Sequence, residues 1–151
     1  MNIKIEEMKL EHIEQIQDIL ASDFDEFWNE NILRKELENP ASTYIVAVDE
    51  QNNVLGYGGI WQPIDEAHIT NIVTKKDKRG QQIGTTMLER LIKIAQQRNL
   101  KSITLEVNVN NKPAIHLYEK YQFQQVGIRK KYYHNTEDAF IMTLNLSSDR
   151  E

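Results

Sequence analysis

The sequence predicts an α/β domain in which a mixed, mostly antiparallel sheet is flanked by about four helices. Several short stretches are rich in β-branched and aromatic residues or alternate between polar and apolar side chains, which is typical of strands. Other stretches repeat apolar residues at the helical period. At residues 69–95 a strand, a glycine-bearing turn and an amphipathic helix follow one another, which favours a strand–helix–strand unit at the centre of the domain.

Composition limits the classes of protein that need consideration. We expect residues 1–151 to form one domain, since a chain of this length can bury a core without disulfides or metal. The absence of cysteine excludes thiolate ligands and an acyl-cysteine intermediate. A net charge of −5 argues against general nucleic-acid binding. The sequence has neither a long apolar span nor the apolar core of a signal peptide, so we expect a cytoplasmic protein without membrane association.

The first half of the chain is predicted to contain a strand, two helices and three further strands. Residues 2–6 alternate polar and apolar side chains, and residues 10–20 carry leucine and isoleucine at helical spacing. A second helix is predicted between Asn29, a candidate N-cap, and Pro40, which cannot continue it. Strands are predicted for residues 43–49, 54–61 and 66–74.

Two features of this half need a separate explanation. Three glycines between residues 56 and 59 predict a bulge, or the close approach of another backbone or a ligand. The aromatic residues Phe24, Phe27 and Trp28 lie in an acidic segment. They either pack in the core or line a substrate entrance.

The second half is predicted to continue as helix, strand, helix and two strands. The helix beginning at Ile83 presents one apolar stripe, and residues 102–109 alternate cleanly, with Glu106 on the polar face. Asn110 or Asn111 is expected to cap the next helix. The last two strands are predicted at residues 123–133 and 139–146, joined by residues 134–138.

A basic, glycine-bearing loop precedes the central helix. Residues 75–79 contain four basic side chains and one acidic side chain, Asp77, which gives the loop a net charge of +3. Gly80 and Gly84 lie where the loop enters the helix, and a helix N-terminus offers unpaired N–H groups and a positive dipole end. The loop therefore predicts a phosphate or pyrophosphate site, although two glycines alone could also serve only to turn the chain.

These residues resemble the GCN5-related N-acetyltransferase (GNAT) superfamily from Ile69 to Leu146. The acetyl-CoA motif of that superfamily, Q/R-x-x-G-x-G/A, stands here as Arg79 to Gly84, with Gln82 in place of its usual first glycine. The resemblance implies acetyl-CoA as the acetyl donor and a single GNAT-like domain. It implies the following cofactor-binding residues: Ile72, Val73, Thr74, Arg79, Gly80, Gln81, Gln82, Ile83, Gly84, Thr85 and Asn111.

Within the superfamily, the second half is similar to the RimI-type ribosomal-protein alanine N-acetyltransferases. The usual glycine before Phe123 is Gln122 here. The resemblance implies that the acceptor is a peptide or protein N-terminus, with a ribosomal protein beginning with alanine as the implied partner. It also places Tyr132 and Tyr133 where the family grips the peptide. The matching positions are Glu106, Asn111, Ala114, Leu117, Tyr118, Phe123, Arg129, Tyr132, Tyr133, Glu137, Asp138, Ala139 and Met142.

Acetyl transfer to an amine needs a base for the nucleophile and an acid for the departing thiolate. An α-amine has a reference pKa of about 7.7–8.0, so it needs only modest help from a base. From periodicity alone Glu106 is better explained as a solvated strand carboxylate, but the resemblance makes it the candidate base. Tyr118 is the candidate acid, and its alternative is an ordinary packed tyrosine.

The sequence also bears on metal-dependent and covalent mechanisms, and on two alternative functions. His12, His68, His116 and His134 share no ligand spacing, so no metal is expected and none of them receives a role. Without cysteine or a serine elbow, direct attack of the amine on the thioester is favoured. Two alternatives remain: acetylation of lysine or a small amine such as a polyamine, and a non-catalytic acyl-CoA-binding module.

Overall fold

The computed structural model describes residues 2–24, 29–133 and 137–146, without the side chains of residues 131–133. Seven strands form a mixed sheet in the order β1-β2-β3-β4-β5-β7-β6, which confirms the predicted α/β class. The strands are β1 (Lys4–Glu7), β2 (Ser42–Val48), β3 (Val54–Trp61), β4 (Glu66–Thr74), β5 (Ser102–Asn108), β6 (Gln124–Tyr133) and β7 (Glu137–Asn145). The helices are α1 (Leu10–Ile16), α2 (Leu20–Phe24), α3 (Glu30–Glu38), α4 (Ile83–Gln97) and α5 (Lys112–Lys120), and a 3₁₀ helix spans Lys76–Lys78.

The structure divides the predicted first helix into α1 and α2. The Ile19 N–H donates to the Ile16 carbonyl at 2.9 Å, three residues back, which tightens the chain beyond the α-helical repeat. Ile13, Ile16 and Leu20 are all buried nevertheless. The apolar spacing therefore identified these three core residues, but Leu10 of the same stripe is 48% exposed, and the spacing did not reveal the break between the two helices.

The described residues group into two compact units, and the first comprises Met1–Gln62 and Thr70–Lys93. In this unit β2 pairs with β1 and β3 in antiparallel fashion. Phe24 packs against Tyr57 with ring centroids 6.0 Å apart, so this member of the aromatic segment belongs to the core. Phe27 and Trp28 lie outside the described residues.

The glycines of β3 allow neighbouring groups of the first unit to come close, as predicted. A Cβ on Gly56 would lie 2.7 Å from the Val73 carbonyl oxygen of β4, and one on Gly59 would lie 2.5 Å from the ring of Tyr44. Any side chain at Gly56 would therefore displace the backbone of β4 at Val73. Close packing of a second backbone is the physical reason for glycine at this position.

The second unit comprises Pro63–Ile69 and Ile94–Glu151. Here Glu66, Ala67 and His68 of β4 pair in parallel with Ser102, Ile103 and Thr104 of β5. Strand β5 pairs with β7, and β7 with β6, in antiparallel fashion. Side chains of β5 alternate between buried and half-buried positions, which confirms the predicted alternation and puts Glu106 on the polar face.

The predicted helix caps are also observed. The Asn29 side chain accepts the Ile32 N–H at 3.1 Å at the start of α3. Asn111, rather than Asn110, caps α5 by accepting the Ala114 N–H at 3.3 Å. Within the described part of the chain, no helix is both long and apolar enough to cross a membrane. The single domain over residues 1–151 remains a prediction.

Gly56→Ala is expected to lower the free energy of unfolding by about 1–3 kcal/mol, because its methyl group would overlap the Val73 carbonyl. Gly127→Ala in β6 is the matched control, since a Cβ there would meet its nearest neighbour at an ordinary 3.5 Å. Urea unfolding of both variants measures the difference. Equal stability of the two variants would contradict the packing argument.

Candidate active site

The loop between β4 and α4 lies in the first unit and carries most of the predicted cofactor-binding residues. Ile72, Val73 and Thr74 are half-buried at the end of β4, whereas residues 79–82 are exposed. The Thr74 hydroxyl lies 3.6 Å from the point where a Cβ on Gly84 would sit, so the strand end adjoins the helix start. The structure thus brings these predicted residues together at one surface.

Backbone donors are available where the loop enters α4. The first α-helical bond of α4 runs from the Thr86 N–H to the Gln82 carbonyl at 3.0 Å. The preceding amides of Ile83, Gly84 and Thr85 therefore have no acceptor within the helix. A Cβ on Gly80 would meet nothing within 4 Å, so the surface beside the loop is open. Open space, outward amides and a local charge of +3 suit a polyanion.

Two glutamines occupy backbone conformations that favour glycine. Gln82 has φ of 65° and Gln122 has φ of 76°, both in the left-handed region. An L-residue there costs roughly 1–2 kcal/mol because Cβ crowds the backbone. These are the two positions at which the sequence departs from the glycines of the acetyltransferase pattern. The chain therefore keeps the glycine-type backbone at both positions with a longer side chain.

Glu106, the predicted base, lies in the second unit with a partner at each carboxylate oxygen. His68 Nε2 is 2.6 Å from Oε1, and Arg129 Nη1 is 3.6 Å from Oε2. The Glu106 side chain is only 10% exposed. A carboxylate removed from water needs such partners to stay ionised at acceptable cost. Glu106 is therefore not the solvated strand carboxylate that periodicity alone also allowed.

Polar groups of β5 and β7 continue along this face of the second unit. Asn108, two residues after Glu106, donates from Nδ2 to Glu137 at 2.5 Å. On the other side of Glu106, the hydroxyls of Thr104 and Thr143 are 2.9 Å apart. Cross-strand pairs of this kind stabilise the local register. They keep β5 and β7 aligned on either side of the Glu106 carboxylate.

Tyr118, the predicted acid, is half-buried on α5 in the same unit. Its ring packs on Phe123 with centroids 5.7 Å apart. The loss of hydration on burial raises the pKa of the Tyr118 hydroxyl to about 12, since the phenolate would be poorly solvated. The hydroxyl therefore remains a proton donor across the physiological pH range.

The remaining predicted residues are placed as follows. Asn111 is exposed at the start of α5, where its side chain caps the helix. The backbone of Tyr132 and Tyr133 is part of β6, but their side chains lie outside what the structure describes. Among the described residues, no group of three or more histidine and acidic side chains is arranged to hold a metal ion.

Sequence reasoning missed the two partners of Glu106. The sequence assigns no role to His68, and it indicates Arg129 only as a position that matches the acetyltransferase pattern. The signal that could have found His68 is the register of β4 against β5, which pairs His68 with Thr104. Residues two apart on a strand share a face, so Glu106 follows Thr104 on the side that His68 can reach. That register is not visible in a single sequence.

Gln82→Gly is expected to raise the free energy of unfolding by up to about 1 kcal/mol, because relief of the left-handed strain exceeds the added entropy of glycine. Gln81→Gly is the matched control, since Gln81 is not among the described residues with positive φ and should gain nothing. Urea unfolding compares them. A gain at Gln81 as large as that at Gln82 would contradict the strain.

Comparison with known proteins identifies the family. Residues 13–123 match the family model described as the acetyltransferase (GNAT) family. The chain is 39% identical over 145 residues to a Bacillus subtilis (strain 168) protein named provisionally as a ribosomal protein bS18-alanine N-acetyltransferase, with 95% of each chain covered. It is 36% identical over 113 residues to the Escherichia coli (strain K12) ribosomal protein bS18-alanine N-acetyltransferase, covering 72% of this chain and 76% of that one.

A solved structure shows the same fold. The crystal structure of the ribosomal-protein-S18-alanine N-acetyltransferase from Escherichia coli matches with a TM-score of 0.86 and 26% identity, covering 97% of this chain and 95% of that chain. The fold match thus extends over nearly the whole length of both chains. The chain belongs to the acetyltransferase (GNAT) family, and it is an acyltransferase.

Proposed function

We propose that this protein transfers the acetyl group of acetyl-CoA to the N-terminal α-amine of a protein, with the N-terminal alanine of ribosomal protein bS18 as acceptor. The observation that carries the proposal is the 39% identity with the Bacillus subtilis relative, which extends over 95% of both chains. Such an acceptor is made in the cytoplasm, which is therefore the proposed place of the reaction.

The loop before α4 is the proposed site for the diphosphate of acetyl-CoA. The amides of Ile83, Gly84 and Thr85 and the open surface at Gly80 suit that group. Arg79 and the neighbouring lysines add positive charge, and the backbone of residues 72–74 is proposed to pair with the pantetheine arm. When bound, acetyl-CoA would supply a thioester carbonyl that an amine can attack.

Glu106 is the proposed general base. An attacking amine must lose a proton, and the Glu106 carboxylate would accept it directly or through a water molecule. The contacts of the Glu106 carboxylate with His68 and Arg129 support this role, because an oriented group accepts a proton more effectively than one that rotates freely. Since an α-amine is far less basic than lysine, a carboxylate base favours a protein N-terminus as the acceptor.

Tyr118 is the proposed donor to the departing sulfur. With its pKa raised to about 12, the hydroxyl holds its proton more tightly than a thiol of pKa about 8.5. Complete proton transfer to the thiolate would thus be uphill by about 5 kcal/mol. Tyr118 would therefore act by donating a hydrogen bond to the developing negative charge, a form of electrostatic stabilisation.

Three further residues have proposed binding roles: Tyr132, Tyr133 and Asn111. The two tyrosines, carried over from the acetyltransferase pattern, are proposed to grip the acceptor peptide. Asn111 is proposed to contact the cofactor with the part of its amide that does not cap α5. No observation favours the lysine or polyamine reading over the N-terminal one, and both remain outcomes of the test below.

We expect the purified protein to acetylate the first residue of a short peptide with the bS18 N-terminus, as measured by mass spectrometry. The same peptide with a blocked N-terminus and an internal lysine, and spermidine, should not react. Glu106→Gln should lower kcat by about 10²–10⁴-fold. Glu119→Gln, which removes an exposed acid on α5, is the matched control and should leave kcat unchanged.

Two results would contradict the proposed function. Turnover on lysine or spermidine, with none on the α-amine, would favour the alternative acceptor class. Binding of acetyl-CoA by calorimetry without turnover on any of these amines would favour a non-catalytic binding module.

Tyr118→Phe should lower kcat by about 10- to 1,000-fold, because one donor to the developing thiolate is lost. Since burial raises the pKa of Tyr118, its ionisation should not contribute to the rate below about pH 11. The loss should therefore be equal at every pH from about 6 to 9, as measured by steady-state kinetics. A loss confined to high pH would rule out this role.

A further inference from the structure

We propose that His68 is a positioning residue for Glu106: its Nε2–H fixes the Glu106 carboxylate in the orientation in which it accepts the proton of the acceptor amine. This inference rests on the proposed role of Glu106 as the base. It adds a residue that the acetyltransferase pattern does not supply and that the sequence left without a role.

The strand register brings the two side chains together within the second unit. His68 on β4 pairs with Thr104 on β5, and Glu106 follows two residues later on the same face. His68 Nε2 lies 2.6 Å from Glu106 Oε1, slightly shorter than the range of about 2.7–2.9 Å that is usual for a charge-assisted N–H···O hydrogen bond. Both groups project from strands, which hold them more rigidly than loops would.

The direction of the hydrogen bond follows from the chemistry of the pair. An ionised carboxylate accepts hydrogen bonds and cannot donate them, so the proton between the two groups belongs to His68 Nε2. In neutral His68 the other ring nitrogen, Nδ1, is then the acceptor. The contact thus defines one tautomer of His68.

Arg129 places a positive charge near the same carboxylate but orients it less strongly than His68 does. Its Nη1 is 3.6 Å from Glu106 Oε2, which is longer than a hydrogen bond, and its side chain is 55% exposed. Direction depends on a short, aligned donor, and of these two partners only His68 provides one. Of the two, His68 is therefore the partner that gives the carboxylate its orientation.

The test distinguishes the effect of the His68 hydrogen-bond donor from the effect of the size of the side chain. His68→Leu removes the donor, and His68→Asn moves it closer to the backbone. His68→Gln places an amide N–H at nearly the position of Nε2. We expect the leucine and asparagine variants to lose about 10- to 100-fold in kcat with both KM values within about twofold, and the glutamine variant to keep at least about a third of wild-type kcat.

His116→Leu is the matched control, because the His116 side chain is 81% exposed and its nearest acid, Glu119, is 4.0 Å away. It should keep wild-type kcat. A wild-type kcat in His68→Leu would overturn the proposal. So would a glutamine variant as slow as the leucine variant, since that result would require His68 to carry protons rather than to orient Glu106.

The same variants are assayed with whichever amine the wild-type protein accepts, so a wrong acceptor class overturns only the proposed function. Nitrogen-15 NMR of the histidine rings gives a readout that needs no turnover. We expect His68 in the Nε2–H tautomer in the wild type, and in a mixture of tautomers in Glu106→Gln. A His68 that is mainly Nδ1–H in the wild type would refute the proposal even if no amine reacts.

Discussion

The candidate active site depends on a carboxylate that has been taken out of water. Glu106 projects from the polar face of β5 with a side chain only 10% exposed. Burial of an unpaired charge would cost several kcal/mol, so the fold must supply partners on both sides. It does so from two different strands, with His68 on β4 and Arg129 on β6. The register of β4 beside β5, and the position of β6 beyond β7, are therefore part of the chemistry, not only of the fold.

Local pattern predicted the parts of this arrangement that depend on one strand at a time. Alternation along β5 was enough to place Glu106 on the polar face, because neighbouring side chains of a strand point to opposite sides. The pairing with His68 joins residues 38 positions apart, and it follows from a parallel register that no local period encodes. For the same reason the break between α1 and α2 was missed, since the apolar spacing is nearly unchanged across it.

The two glutamines in left-handed conformations show what a departure from a motif means physically. At Gln82 and Gln122 the superfamily's glycine is absent, yet the backbone takes the geometry that favours glycine, with φ of 65° and 76°. The glycine-type backbone therefore persists without glycine, and the chain tolerates the strain at both positions. The predicted anion site depends on main-chain amides, so the exchange of glycine for glutamine leaves its donors in place.

The two proposed catalytic groups have different neighbours, and this difference separates their roles. Tyr118 loses hydration and packs on Phe123, so its neutral form is favoured and the hydroxyl remains a donor. The Glu106 side chain is only 10% exposed and has a hydrogen-bonding histidine and a cation beside it, the kinds of partner that an ionised carboxylate requires. One group is thus suited to donate a hydrogen bond to the departing sulfur, and the other to accept the proton of the amine. The assignment of donor and acceptor therefore follows from the chemistry of each side chain together with its neighbours.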